Sequence, residues 1–225
     1  MPAFGVLESL QEALRPSGIR LRGVVSFADG NGPTLDDGGR AQSLVLLGNV
    51  GGSIWPAFAD WRTGYSGADP LDAWSKAVIN PVAERHEATP FYPSDPPYMP
   101  FQQWAKRAEG LKASPLGILI HPQYGLWHGY RGALAFRQTI DAAPLEATPS
   151  PCENCIEKPC LTSCPAGAIS MARFEVGRCR SHLVTAEGRL GCMKDGCAAR
   201  NSCPIGAAYR YPEAQLRFHM EALLG

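Results

Sequence analysis

No cysteine occurs before Cys152, neither sign of charge predominates, and no apolar run approaches the length of a membrane span. Each absence excludes something. Lys plus Arg and Asp plus Glu number 21 each, so the formal charge is zero and no basic field advertises a nucleic acid or a membrane surface as partner. The longest apolar stretches, such as Ser43 to Leu47 and Gly117 to Ile120, fall far below the roughly 20 residues that cross a bilayer, and a soluble protein is expected. The opening Met-Pro-Ala-Phe-Gly-Val-Leu-Glu-Ser-Leu shows no basic segment followed by an apolar one. No secretory signal is therefore expected, and the expected compartment is the reducing cytoplasm. Repeats of solenoid length and low-complexity tracts are lacking too. What is present, 225 residues at 45% hydrophobic composition, suffices for one or two packed domains with a core.

All eight cysteines fall between Cys152 and Cys203, which divides the chain into an N-terminal domain, 1–145, and a cysteine domain, 146–225. In the first, Leu7, Leu10, Ala13 and Leu14 recur at helical spacing, and Ile19 to Phe27 is β-branched and partly alternating, the pattern of a strand. Ser43 to Leu47 predicts a second strand, running into Gly48-Asn49-Val50-Gly51-Gly52 and an aromatic-rich helix with Trp55, Phe58 and Trp61. Leu71 to Arg85 has helical spacing, Thr89 to Pro100 carries five prolines and must be extended or turning, and Phe101 to Leu111 reads as another helix. Strand-like Leu116 to Ile120 and an extended segment near Gly132 to Ile140 follow. Pro144, Pro149 and Pro151 make a stiff linker, and Glu213 to Leu224 reads as a short amphipathic helix through Leu216, Met220 and Leu223 that packs back on the body.

The cysteines carry the chemistry. Cys152-Glu-Asn-Cys155-Ile-Glu-Lys-Pro-Cys160-Leu-Thr-Ser-Cys164-Pro165 is a C-x2-C-x4-C-x3-C-P run; it resembles the bacterial ferredoxin pattern with two extra residues before the third cysteine. Closely spaced thiolates let one loop wrap three corners of an iron–sulfur cube, and the x3 step with its proline turns the fourth sulfur toward another cluster. Cys192 and Cys197, with Cys203-Pro204 beyond them, repeat the ending at wider spacing, and Cys179 lies between the motifs. Crossing over as in two-cluster ferredoxins, the chain would hold one [4Fe-4S] cluster by Cys152, Cys155, Cys160 and Cys203 and a second by Cys164, Cys179, Cys192 and Cys197. Structural zinc and disulfides are the alternatives; neither half shows paired C-x2-C knuckles at zinc-ribbon separation, a reducing compartment disfavours disulfides, and neither accounts for two Cys-Pro endings. Small residues follow both, Ala166-Gly167-Ala168-Ile169 and Ile205-Gly206-Ala207-Ala208, allowing backbone N–H groups to approach cluster sulfurs.

These residues together resemble the epoxyqueuosine reductase family, in which a cobalamin-binding α/β domain precedes a two-cluster ferredoxin domain. Gly177-Arg178-Cys179-Arg180-Ser181-His182-Leu183-Val184-Thr185 is similar to that family's Arg-Cys-Ile-Ser-Tyr-Leu-Thr segment, whose cysteine is a ligand of the second cluster. Ile118-Leu-Ile-His-Pro-Gln-Tyr-Gly-Leu-Trp127 is similar to its Leu-Leu-Ile-Asn-Pro-Glu-Tyr-Gly-Ser-Trp stretch, and in that register Asp95 falls where the family keeps a proton-donating aspartate. The family's Gly-Trp-Ile-Gly-Lys-Asn-Thr segment is replaced by Leu111-Lys112-Ala113-Ser114-Pro115-Leu116-Gly117, so substrate identity does not carry over. No helical-repeat extension of the kind that grips tRNA follows, and no nucleic-acid partner is expected. Related nitroreductase-like proteins that process cobalamin give a precedent for such a domain acting on the corrinoid itself.

The resemblance implies an α+β chain: an N-terminal α/β domain, nitroreductase-like and cobalamin-binding-like, then a bacterial-type two-cluster ferredoxin domain with a C-terminal helix. The expected cofactors are two [4Fe-4S] clusters and cobalamin, the expected partners a redox protein as electron donor and a corrinoid or small-molecule acceptor, and the expected activity that of a reductase. A carrier with no catalytic step, whose N-terminal domain docks redox partners, is the rival. Elsewhere the bland readings lead. Asp95, in Pro93-Ser94-Asp95-Pro96-Pro97, suits a turn cap as well as a general acid, which would need burial to raise its pKa. His121 and His128 have no partner at metal-ligand spacing. The Gly48 to Gly52 loop lacks both G-x-G-x-x-G and a Walker lysine and reads as a close-packed turn, and Trp55, Trp61, Trp74 and Trp104 read as core and pocket lining.

Overall fold

The computed structural model describes residues 3–141 and 149–224. Pro144 and the 145/146 junction lie outside the described residues. The chain forms two compact units, one from Met1–Gly110 with Gly129–Ala147, the other from Leu111–His128 with Thr148–Gly225. The second unit thus takes in Leu111–His128 along with the cysteine region, a stretch whose apolar side chains, Leu116, Ile120 and Leu126, are buried beside the cysteines.

In the first unit, α1 (Ala3–Leu14) leads through a 3-10 turn, Arg15–Ser17, into β1 (Arg20–Ser26), and β2 (Ser43–Val50) precedes α2 (Trp55–Arg62) and α3 (Pro70–Arg85). A short β3 (Thr89–Phe91) and α4 (Phe101–Glu109) follow; after β4 (Lys112–Ala113) and β5 (Leu119–Ile120) of the other unit, β6 (His128–Phe136) returns to the sheet. The strand order is β1-β2-β6-β3. β1 pairs antiparallel with β2, and the register slips between Leu21 and Val24 at Gly23, whose φ of 94° favours glycine. β3 pairs antiparallel with β6, Phe91 opposite Ala133. β2 is buried from Ser43 to Asn49, which is why its sequence reads as a continuous apolar run rather than an alternating one. Leu10, Leu14, Phe58, Trp74 and Ile79 fill the core. Gly48 sits where a Cβ would stand 2.0 Å from the Gly129 carbonyl oxygen, so the Gly48 to Gly52 stretch is tightly packed backbone. The extended segment expected near Gly132 to Ile140 begins earlier, at His128, and ends at Phe136.

The second unit has little regular structure. β4 and β5 form a small hairpin, Lys112 opposite Ile120, and short helices follow: α5 (Pro159–Thr162), α6 (Val176–Leu183), α7 (Ala186–Leu190), α8 (Cys192–Asp195) and α9 (Ala198–Asn201), then a 3-10 turn, Ala207–Tyr209, and α10 (Glu213–Leu224). Helices of four or five residues are too short to stand on propensity; their turns serve to aim cysteines. α10 does pack back, with Met220 buried in a cluster that includes Leu183 and Cys192. No helix among the described residues is long and apolar enough to cross a membrane.

Candidate functional site

None of the eight cysteines is paired in a disulfide, and the second unit gathers them into two groups. Burial pushes the Cys152 thiol up, and so do the neighbouring sulfurs of Cys203, Cys160 and Cys155. Cys160 is raised by burial and then by Cys203 and Cys155, and Cys203 by burial, with Cys155 adding to it. Cys179, pushed up to about 11, owes this to burial first and then to Cys197, Cys164 and Cys192; Cys197 is raised by burial and by Cys192 and Cys164. Each raised thiol thus feels the sulfurs of its own group: Cys152, Cys155, Cys160 and Cys203 in one, Cys164, Cys179, Cys192 and Cys197 in the other. Every sequence motif contributes to both, because Cys164 leaves its own run and Cys203 leaves the later one.

Local structure explains the swap. In both Cys-Pro endings the glycine two residues after proline turns the backbone: Gly167 has φ 55° and Gly206 φ 72°. The returning chain then aims N–H groups at sulfur. Ala168 N–H donates to Cys164 Sγ at 3.4 Å, and backbone N–H groups of Ile205 near Cys203 and of Ala199 and Arg200 near Cys197 favour the charged form of those sulfurs. Such donors hold down negative charge on sulfur, as a thiolate or a cluster ligand requires.

The two groups share a wall. Cys152, Cys160 and Cys203 of the first and Cys164 and Cys197 of the second all pack on Leu116, Ile120, Leu126, Ile169 and Ala199. Pro115 and Ile120 of the hairpin, with Pro151 and Lys158, line a cavity around all four thiols of the first group. The second group is closed on its other side by Leu183 and Met220.

The Tyr124 to Trp127 stretch is bound into this arrangement. Gly125, φ 58°, and Gly206 lie back to back: a Cβ on Gly125 would stand 1.8 Å from the Ile205 carbonyl oxygen, and one on Gly206 would stand 2.2 Å from the Tyr124 carbonyl carbon. Arg200 lies 4.5 Å from the Trp127 ring centre and 4.6 Å from that of Tyr211, and donates to the Leu126 carbonyl at 3.1 Å. His121 and His128 serve the backbone: His121 Nδ1 accepts from the N–H groups of Gln123 and Tyr124, and His128 Nε2 meets the Leu119 carbonyl at 3.1 Å.

Asp95 belongs to the first unit. Its carboxylate accepts from Lys76 Nζ at 2.6 Å and its side chain is 41% exposed, so the burial that general-acid chemistry needs is missing, and it pairs with lysine rather than capping its own turn. Trp74 and Trp104 are core residues, while Trp61 stacks on Tyr65. A cleft of about 430 Å³ follows the edge strand β1, lined by Leu7, Leu21, Val24, Val45, Arg107 and Asp141.

Two features escape the motif reading. Lys158, inside the x4 spacing, donates from Nζ to the Cys152 carbonyl at 3.0 Å and the Cys155 carbonyl at 2.8 Å; the two residues by which this run departs from the ferredoxin pattern were the signal. Arg22, 2% exposed, pairs with Glu109 at 2.9 Å inside the first unit, where the β-branched strand pattern alone gave no hint of a buried charge.

Eight soft sulfur donors in two sets of four, each supplied with N–H donors, fit a pair of iron–sulfur clusters. Among the described residues no three His, Cys, Asp or Glu side chains are grouped to hold one metal ion.

No protein-family model and no curated protein sequence matches the chain. Solved structures do. An epoxyqueuosine reductase with an epoxyqueuosine-modified tRNA-Tyr stem loop is 13% identical, with a TM-score of 0.54, over 93% of this chain and 68% of that one. Epoxyqueuosine reductase from Bacillus subtilis is 15% identical, with a TM-score of 0.53, over 94% and 68%. A C. elegans B12-trafficking protein, CblC, a homologue of human MMACHC, is 14% identical, with a TM-score of 0.55, over 99% and 95%. At such identities the likeness is one of architecture, and the chain has an epoxyqueuosine reductase-like fold.

Proposed function

We propose that this chain is an iron–sulfur oxidoreductase in which two [4Fe-4S] clusters relay single electrons to a corrinoid, or another acceptor, held by the N-terminal unit. The observation that carries the reading is the sorting of the eight thiols into two interleaved groups of four. When bound, the clusters would supply one-electron chemistry, and a corrinoid the harder bond-making steps. The chain's own part is to hold and tune. Cys152, Cys155, Cys160 and Cys203 would ligate the first cluster, and Cys164, Cys179, Cys192 and Cys197 the second. Leu126, Ile169 and Ala199, packed against cysteines of both groups, keep water away and hold the two centres side by side for short-range transfer. The fold shared with a reductase and with a B12-trafficking protein supports a redox or corrinoid-related role, and a reducing compartment is the one in which such thiols persist.

Anaerobically purified protein should contain iron and inorganic sulfide, show reducible spectra from two clusters, and alter the absorption of added cobalamin. Absence of sulfide refutes the cluster reading. An unchanged cobalamin spectrum, with no retention on the protein, refutes the corrinoid part alone.

A specific observation favours a second reading, that of an electron carrier. Leu111 to Gly117, which by resemblance would line an acceptor pocket, enters a hairpin whose Pro115 lies against the first thiol group. Clusters that reduce partner proteins but never cobalamin would establish the carrier.

A further inference from the structure

The first cysteine run is longer than its ferredoxin-like pattern requires, and the added stretch contains Lys158. Its backbone is in the left-handed region, φ 41°, which costs a residue with a Cβ about 1–2 kcal/mol. That conformation is held by what the side chain does. Nζ donates to the Cys152 carbonyl at 3.0 Å and to the Cys155 carbonyl at 2.8 Å, bracing the C-x2-C loop from inside. The same side chain lines the cavity surrounded by Cys152, Cys155, Cys160 and Cys203. Lys158 also stands immediately before Pro159, the first residue of α5, so one residue joins the loop carrying two ligands to the helix carrying the third.

Resting on the cluster reading above, we propose that Lys158 is a positioning residue for the first cluster: it clamps the Cys152–Cys155 loop and places a fixed positive charge beside the bound cluster, raising that cluster's reduction potential. The reasoning is electrostatic. Reduction adds one negative charge to the cluster, and a cation held in a partly dry cavity stabilises the reduced state more than the oxidised one. The clamp's two carbonyl bonds and the cavity it lines involve cysteines of the first group, so the charge distinguishes the two centres.

The test is an anaerobic redox titration followed by electron paramagnetic resonance on the full chain, with iron and sulfide measured on the same samples. In Lys158→Met one midpoint should fall by about 59 mV or more, a tenfold change for a one-electron couple, while the other stays in place. Lys158→Arg, which keeps the charge, should restore most of the shift. Lys158→Gln, which keeps N–H donors without charge, should load as wild type does and still show the lowered midpoint; it provides the measurement if Lys158→Met does not fold. Loss of one cluster from Lys158→Met, with the other intact and an unchanged far-ultraviolet spectrum, also supports the clamp. Two fully loaded clusters with unmoved midpoints in both Lys158→Met and Lys158→Gln overturn the proposal and leave the cluster reading standing. Wild-type protein without iron and sulfide overturns both.

Discussion

Replacing Arg22 by methionine tests the buried charge network of the first unit. The guanidinium, 2% exposed, makes a two-pronged pair with Glu109, from Nε at 2.9 Å and from a terminal nitrogen at 3.2 Å, and donates again to the Asn49 carbonyl at 3.0 Å. The Tyr130 hydroxyl donates to the same carboxylate. Methionine fills much of the space but leaves Glu109 buried with only the tyrosine, and breaking a buried pair in this way costs about 3–5 kcal/mol. The pH dependence follows from Glu109. Burial already raises its pKa above the ordinary 4.5, with Arg22 the chief opposing influence, so Arg22→Met must raise it further. A carboxyl with a raised folded-state pKa weakens folding as pH rises from its unfolded value through its folded one. The variant should therefore fall furthest behind wild type near neutral pH and recover as pH drops below about 4.5, where the carboxyl is protonated in both states. Urea unfolding followed by tryptophan fluorescence, with amide exchange along β1 and β2, provides the measurement. A double variant, Arg22→Met with Glu109→Leu, should regain most of the loss. A single variant within about 1 kcal/mol of wild type at pH 7, against the 3–5 expected, would refute the reasoning.

Other outcomes follow from the second unit. Gly206→Ala, at φ 72° and with its Cβ 2.2 Å from backbone, should cost about 2–5 kcal/mol by combining left-handed strain with overpacking; amide exchange at Gly125 should rise with it, and unchanged exchange would count against the close packing. Met220→Ala, beside Cys192 and Leu183, should cost about 2–4 kcal/mol and speed loss of one cluster in air. Cys179→Ser should remove about half the iron and spare the centre built on Cys152, Cys155, Cys160 and Cys203. Asp95→Asn, which removes an ion pair with both partners about two-fifths exposed, should change stability by less than about 1 kcal/mol and leave iron content unaltered.

Long elements are legible in this sequence because their apolar spacing is long: α1, α3 and α4 lie where leucine and tryptophan periodicity puts them, and β2 where an unbroken apolar run does. Most helices around the cysteines are not, since four or five residues give no period to count, and α6 has eight. Arg22 is illegible for another reason, as its burial depends on Glu109, 87 residues away. The turns after the two Cys-Pro endings were legible, because a glycine at the same place in each is a local matter. The place of Leu111–His128 was not, because cysteine content marks a change of composition rather than the path of the backbone. Asp95 was placed by register alone, and register says nothing about exposure.

The interleaving of the two sulfur sets has a consequence for how the chain ages. Any single cut of the backbone between Cys164 and Cys179 separates Cys203 from three companions and Cys164 from the other three. The same nick would break both sets, each keeping three members on one fragment and leaving the fourth on the other.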